Sequence, residues 1–282
     1  MNRLAGGKLS RVRILVECAL LIALGTVLSL FKLLDLPAGG SVTLASMLPL
    51  VLLAYRHGML WGIGSGLVYG GLQQLLGLNT LSYVTGWQSV LAVVLLDYVV
   101  AFALIGFGGV FRRLLKKQSA ALLAGSILVG FLRYVCHVIS GATVWAGLSI
   151  PTEAALWYSV GYNATYMVPE TVILAVVATY LGTAMDFECA LPRRRQTAEL
   201  SGRKGWVRLG GLLSIALGVI SAVLFVFPHL QNAESGEFDF SGIGNVAWVP
   251  FGIVVGAFAL LATVLLLLAH ALQKRTLEKS AD

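Results

Sequence analysis

Eight apolar runs, most of them near the roughly 20 residues that an α-helix needs to cross a bilayer, leave this chain little choice of fold. They cover residues 12–31, 44–56, 58–77, 88–113, 119–142, 154–184, 207–227 and 246–272. Only 12% of the residues are charged and 58% are hydrophobic, against roughly 25% charged in a soluble domain. The reading is an all-α integral membrane protein, because backbone in hydrocarbon must satisfy its own polar groups. The run at 44–56 is short for a crossing. Either that helix begins earlier, or PAGGS at residues 37–41 forms a partly buried loop. The N-terminus is basic and then apolar, like a signal peptide. Its apolar run exceeds the usual 7–15 residues or so of such a segment and continues into FKLLDLP with no small-x-small site, so it reads as the first spanning helix.

The formal charge of +7 follows topology. With eight spans both termini share a side, and 18 of the 20 Lys and Arg residues fall there, among them Arg11, Arg56, Arg112, Lys116, Arg194 and Lys274. Lys32 stands outside and Arg133 within a span. The opposite loop, 228–245, carries Glu234, Glu237 and Asp239 and no Lys or Arg. This asymmetry places both termini in the cytosol. Charge spread over every cytoplasmic loop also argues against nucleic-acid binding. A polar, basic break at 186–206 divides the chain into a membrane unit at 1–185, a cytoplasmic linker at 186–206 and a two-helix membrane appendage at 207–282. No repeat relates the halves. Cys18, Cys136 and Cys189 form no CxxC pair, which implies neither a disulfide nor a metal site.

Ionisable residues inside the spans are expensive, at about 2.5–3.5 kcal/mol for Asp or Arg near the centre on insertion scales. They are Glu17, Asp97, Arg133, His137 and Glu170. Asp97 reads either as half of an internal salt bridge with Arg133 or as a carboxylate that receives a cationic or hydrogen-bond-donating ligand. Arg133, His137 and Gly141 recur at i+4 and share one helix face, with Trp145 four further on if the helix lasts. Tyr158, Tyr162, Tyr166 and Glu170 form a second i+4 row, which descends too far to be an interfacial aromatic belt. Packing against another helix accounts for Tyr162 and Tyr166. Tyr158 and Asn163 lie about 140° apart on a regular helix, so they share a ligand only through an irregular first turn or a pocket that wraps the helix. Asn163, as a buried amide, must find partners. The concentration of such groups between residues 131 and 169 marks a site for a small molecule.

LLDYVVAFALIG, RYVCHVISG, TVW and WYSVGYNATYMVP, with PAGGSVTLASMLP upstream, resemble the thiamine-specific S component of energy-coupling factor (ECF) vitamin transporters. The resemblance covers about residues 10–185. It implies a six-helix S-component bundle, extended here by two C-terminal transmembrane helices. It also implies tight thiamine binding from outside without an ATPase or cofactor of its own. Partners would be a transmembrane T component with two cytoplasmic ATPases, against which the S component topples to release the vitamin. The family's ligand contacts fall on Asp97, Tyr98, His137, Gly141, Trp145, Tyr158 and Asn163. The chemistry suits thiamine: Trp145 offers a cation–π face to the thiazolium, and Asp97 and Asn163 can pair with the aminopyrimidine. Some members carry Glu where this chain has Asp97. The loop at 32–46 resembles the family's lid but lacks the tryptophan some relatives place there. Ala19 and Ala23 match the Ala-x-x-x-Ala stripe that meets the T component.

Two other functions stay in view: an S component for another vitamin or a thiamine precursor, and a membrane enzyme using Asp97 and His137 as acid and base. The enzyme reading lacks a nucleophile motif, a metal cluster and a phosphate loop.

Overall fold

Helical segments follow the apolar runs closely. The structure, a computed structural model, describes residues 11–36, 39–84, 86–147, 152–195, 203–230 and 240–278, with backbone alone at 80, 83, 145–147, 152, 203 and 274–278. The chain forms two units: Met1–Ala178 with Glu188–Ala190, and Thr179–Phe187 with Leu191–Asp282.

The first unit begins with α1 (Arg11–Leu30) and a hairpin of β1 (Lys32–Asp35) and β2 (Ser41–Thr43). After these come α2 (Leu48–His57), α3 (Met59–Leu76), α4 (Trp87–Arg112), α5 (Gln118–Gly147) and α6 (Thr152–Ala184), which runs into the second unit. Polar contacts show that successive helices alternate in direction. Gln73 Nε2 donates to Ser29 Oγ at 3.0 Å, so α3 ends beside the end of α1. Arg112 at the end of α4 donates to the Tyr55 and Arg56 carbonyls at 2.8 and 2.6 Å. Ser89 at the start of α4 donates to the Thr143 carbonyl late in α5 (3.1 Å), and Tyr134 of α5 donates to the Val160 carbonyl of α6 (3.0 Å).

The expected helix over 44–56 is corrected. Six helices among the described residues are long and apolar enough to cross a membrane; α2, with 10 residues, and α3, whose Gly and Gln residues dilute its apolar content, are not among them. The residues of α2 span about 15 Å at a 1.5 Å rise. Of the loop expected at 37–41, Pro37 and Ala38 lie outside the described residues; Gly40 is buried, and the chain enters α2 through a strand and a turn. Leu44 N–H bonds the Phe31 carbonyl (3.3 Å) at one end of α1, and Arg56 pairs with Glu17 near the other. Strand, turn and short helix therefore retrace α1 together. Non-helical backbone survives at this depth only where protein covers it, and Val42, Ala45 and Met47 are almost completely enclosed. Ala45 takes a left-handed φ of 54° at the turn. Glu17, one of the ionisable residues in the spans, is thus accounted for: Arg56 holds it and also donates to the Cys189 and Ala190 carbonyls at 3.2 and 3.1 Å.

In the second unit β3 (Met185–Asp186) pairs with β4 (Arg193–Arg194), so part of the basic segment read as a linker is a small hairpin. Then α7 (Arg203–Val226) and α8 (Trp248–Glu278) lie antiparallel: Gly211 meets Leu266, Gly218 meets Phe258, and the Phe225 and Phe251 rings stand 6.2 Å apart.

Candidate functional site

Asp97 lies where α4 departs from α-helical bonding. Across Val93–Val100 the backbone bonds run i to i+5, an insertion that recurs at functional positions because it re-aims side chains. Its carboxylate faces α5. His137 Nδ1 lies 2.8 Å from Asp97 Oδ1, and Ser140 Oγ donates to Asp97 Oδ2 at 2.9 Å. His137 Nε2 lies 3.3 Å from Arg133 Nη2. A guanidinium can only donate and a carboxylate accepts, so Nδ1 carries the imidazole proton and Nε2 offers its lone pair to Arg133. Arg133 stacks over the Phe102 ring, 4.4 Å from its centroid.

Of the two readings of Asp97, the salt bridge takes an indirect form. Among the described residues no direct Asp97–Arg133 ion pair forms; the imidazole bridges them. Each carboxylate oxygen receives one protein donor and keeps lone-pair capacity for another. Asp97 is also the more accessible partner: its side chain is 22% exposed against 10% for His137.

Asn163 meets the same cluster from α6. Its Nδ2 donates to the Ser159 carbonyl at 2.8 Å and approaches the His137 carbonyl and Ser159 Oγ at 3.2 and 3.0 Å. Its Oδ1 accepts from the Tyr166 hydroxyl at 2.5 Å. The amide is therefore satisfied within the protein, and a ligand would meet the second lone pair of Oδ1 or displace Tyr166. The Tyr166 ring also stands edge-on to His137, centroids 6.0 Å apart. Gly141 belongs to the helix crossing: a Cβ there would strike Ser159 Oγ and come within 3.0 Å of Asn163 Nδ2.

The structure thus brings Asp97, His137, Gly141 and Asn163 together. Tyr98 follows Asp97 round the helix and turns its hydroxyl toward Gly77, with its ring 6.3 Å from Phe102. Tyr158 is half-buried on a helix already regular from Thr152, so of the two ways for it to share a ligand with Asn163 the one left is a pocket that wraps the helix. The backbone of α5 stays helical through Trp145, as its spacing required, but that side chain lies outside the described residues. Sequence reasoning missed Ser140 and Ser159. Both carried a signal, since Ser140 follows His137 by three residues and Ser159 precedes Asn163 by four.

Four likenesses to known proteins bear on this chain. The family model described as "Thiamine transporter protein" matches residues 15–187. The "Thiamine transporter ThiT" of Bacillus subtilis (strain 168) is 36% identical over 179 residues, covering 59% of this chain and 88% of that protein. The protein of the same name from Lacticaseibacillus paracasei is 30% identical over 148 residues, or 49% of this chain and 71% of its own length. Among solved structures, ThiT from Listeria monocytogenes superposes with a TM-score of 0.51 at 24% identity, covering 62% of this chain and 95% of that one, a likeness of fold. Helices α7 and α8 lie beyond the matched residues.

Proposed function

The chain belongs to the thiamine transporter protein family, and on that premise we propose that it is a high-affinity thiamine-binding S component of an ECF-type transporter. The observation that carries the site assignment is Asp97, a carboxylate in the middle of a spanning helix with a protein donor on each oxygen and capacity left on both. The aminopyrimidine would donate to Asp97. Trp145 would stack on the thiazolium, and Tyr98, Tyr158 and Asn163 would complete the contacts, with Gly141 setting the distance between α5 and α6. A T component and two cytoplasmic ATPases would supply the energy.

The geometry leaves His137 no free nitrogen with which to act as a base. Both nitrogens of His137 are engaged, by Asp97 and Arg133, and Ser140 is bonded to the carboxylate instead of the imidazole. A base needs a nitrogen within reach of substrate. Purified protein incubated with thiamine should return it chemically intact, one molecule per chain. Recovery of a converted product would make the protein an enzyme, and binding of a precursor in place of thiamine would reassign the vitamin.

Both termini are proposed to be cytoplasmic, supported by the distribution of Lys and Arg and by the meeting of Arg13 and Arg56 on the Ala190 carbonyl. In a variant lacking the three native cysteines, Asn245→Cys should react with an impermeant thiol reagent on intact cells, and Lys116→Cys should not. The opposite pattern would invert the topology.

A further inference from the structure

The row Tyr162, Tyr166 and Glu170 on α6 exceeds what helix packing requires. Glu170 is 3% exposed, and both its oxygens are turned on one residue of the β1–β2 hairpin. Thr43 N–H donates to Oε2 at 2.5 Å and Thr43 Oγ1 donates to Oε1 at 2.6 Å. Having given its proton to Glu170, the Thr43 hydroxyl accepts from Ser46 Oγ (2.8 Å) and from Ser46 N–H (3.3 Å). Two turns earlier on α6, Gly40 N–H reaches the Tyr162 hydroxyl at 3.4 Å. Gly40 also lies directly on the Tyr166 ring: a Cβ there would stand 2.5 Å from Cδ1 and 2.7 Å from Cε1. That same Tyr166 caps Asn163 Oδ1 and edges His137.

The geometry points to Glu170 and Gly40 as positioning residues for the ligand site, acting through Tyr166. Glu170 clamps β2 by Thr43, the clamp holds Gly40 against the Tyr166 ring, and the ring's placement keeps Asn163 and His137 in register. No residue of the hairpin or Glu170 need touch the ligand. The row at i+4 spacing is thereby explained as a seat for the hairpin. A buried carboxylate suits such a clamp, because hydrogen bonds to a charged acceptor are about twice as strong as neutral ones and an acceptor left unsatisfied at this depth is costly. Gly40 suits it because its backbone is not in the left-handed region, so a methyl group there would meet Tyr166 without first straining the chain.

The inference rests on the thiamine reading for its ligand, and the test separates the two. A nitroxide is attached at Leu33→Cys, an exposed hairpin position, in full-length protein lacking the three native cysteines, and thiamine affinity is measured on the same samples. Glu170→Ala should mobilise the label and weaken thiamine about tenfold, since a charge-assisted hydrogen bond is of that order. Glu170→Gln keeps one amide oxygen for Thr43 and should restore much of both. Gly40→Ala should weaken thiamine with Glu170 untouched. Thr43→Val, a milder change that removes the hydroxyl alone, covers the case in which Glu170→Ala does not fold. A label as immobile in Glu170→Ala and Thr43→Val as in the wild type would overturn the clamp. A mobilised label with unchanged thiamine affinity would overturn its link to the site. A wild type that binds no thiamine would sink the vitamin reading alone, and label mobility would still decide the clamp.

Discussion

Replacing Asp97 by Asn should weaken thiamine binding by roughly 10–150-fold, the loss of a charge-assisted partner worth about 1.5–3 kcal/mol. The neighbourhood makes the substitution worse than a simple loss of charge. His137 Nδ1–H and the Ser140 hydroxyl both donate to this carboxylate. An amide offers a single oxygen and presents an NH2 where the other acceptor stood. The imidazole cannot relieve the conflict by moving its proton to Nε2, because Arg133 donates there. The Ser140 hydroxyl must then turn to accept from that NH2, and the ligand has lost its charged acceptor as well. Asn163→Ala should fall in the same range, since it frees the Tyr166 hydroxyl and takes a donor from the His137 carbonyl. Glu170→Gln should cost far less, because an amide oxygen can still serve Thr43. Isothermal titration of the three variants decides it. If Asp97→Asn and Asn163→Ala both fold and bind like wild type, the ligand sits elsewhere.

The second large effect is expected on the outside of α1. Its inward residues are Cys18, Ile22, Gly25 and Ser29, and Ser29 accepts from Gln73. Ala19 and Ala23 point the other way and are exposed, in a field of exposed Val16, Leu20, Leu24 and Val27. Two small side chains one turn apart allow another helix to approach closely in lipid, where packing drives association. Ala19→Trp with Ala23→Trp should leave thiamine binding unchanged, because neither side chain faces the bundle. Uptake by cells should fall to background, and co-purification with the proposed T component should be lost. Retained uptake would remove this stripe from the mechanism and leave it an ordinary lipid-facing surface.

Much of this was legible in the sequence, for a physical reason. A bilayer taxes every polar group, so a polar residue inside an apolar run announces either a partner or a ligand. That is why Asp97, His137 and Asn163 stood out and why the structure gathers them. Where local composition and spacing were the only guides they fell short. The segment 44–56 looked like a full span because of its apolar content, yet only Leu48–His57 is helical, and Val42, Thr43 and residues 45–47 are buried by protein without being helical. Burial by protein and burial by lipid select the same composition. Glu170 was visible as an expensive residue, but its partner Thr43 lies 127 positions away, and no periodicity links a strand to a helix at that distance. Gly40 carried no signal at all, since the Tyr166 ring that requires it is a tertiary neighbour. Gly141, a ligand contact implied by the resemblance, also makes room for Ser159 and Asn163 on the next helix.

The central claim is that this chain binds thiamine at the cluster of Asp97, His137 and Asn163, and calorimetric titration of thiamine into the detergent-purified full-length protein tests it most directly. The account predicts saturable heat at one molecule per chain, complete at micromolar thiamine or below, and the disappearance of that heat at the same concentrations in Asp97→Asn. No heat, and no displacement of any bound ligand by micromolar thiamine, would contradict it.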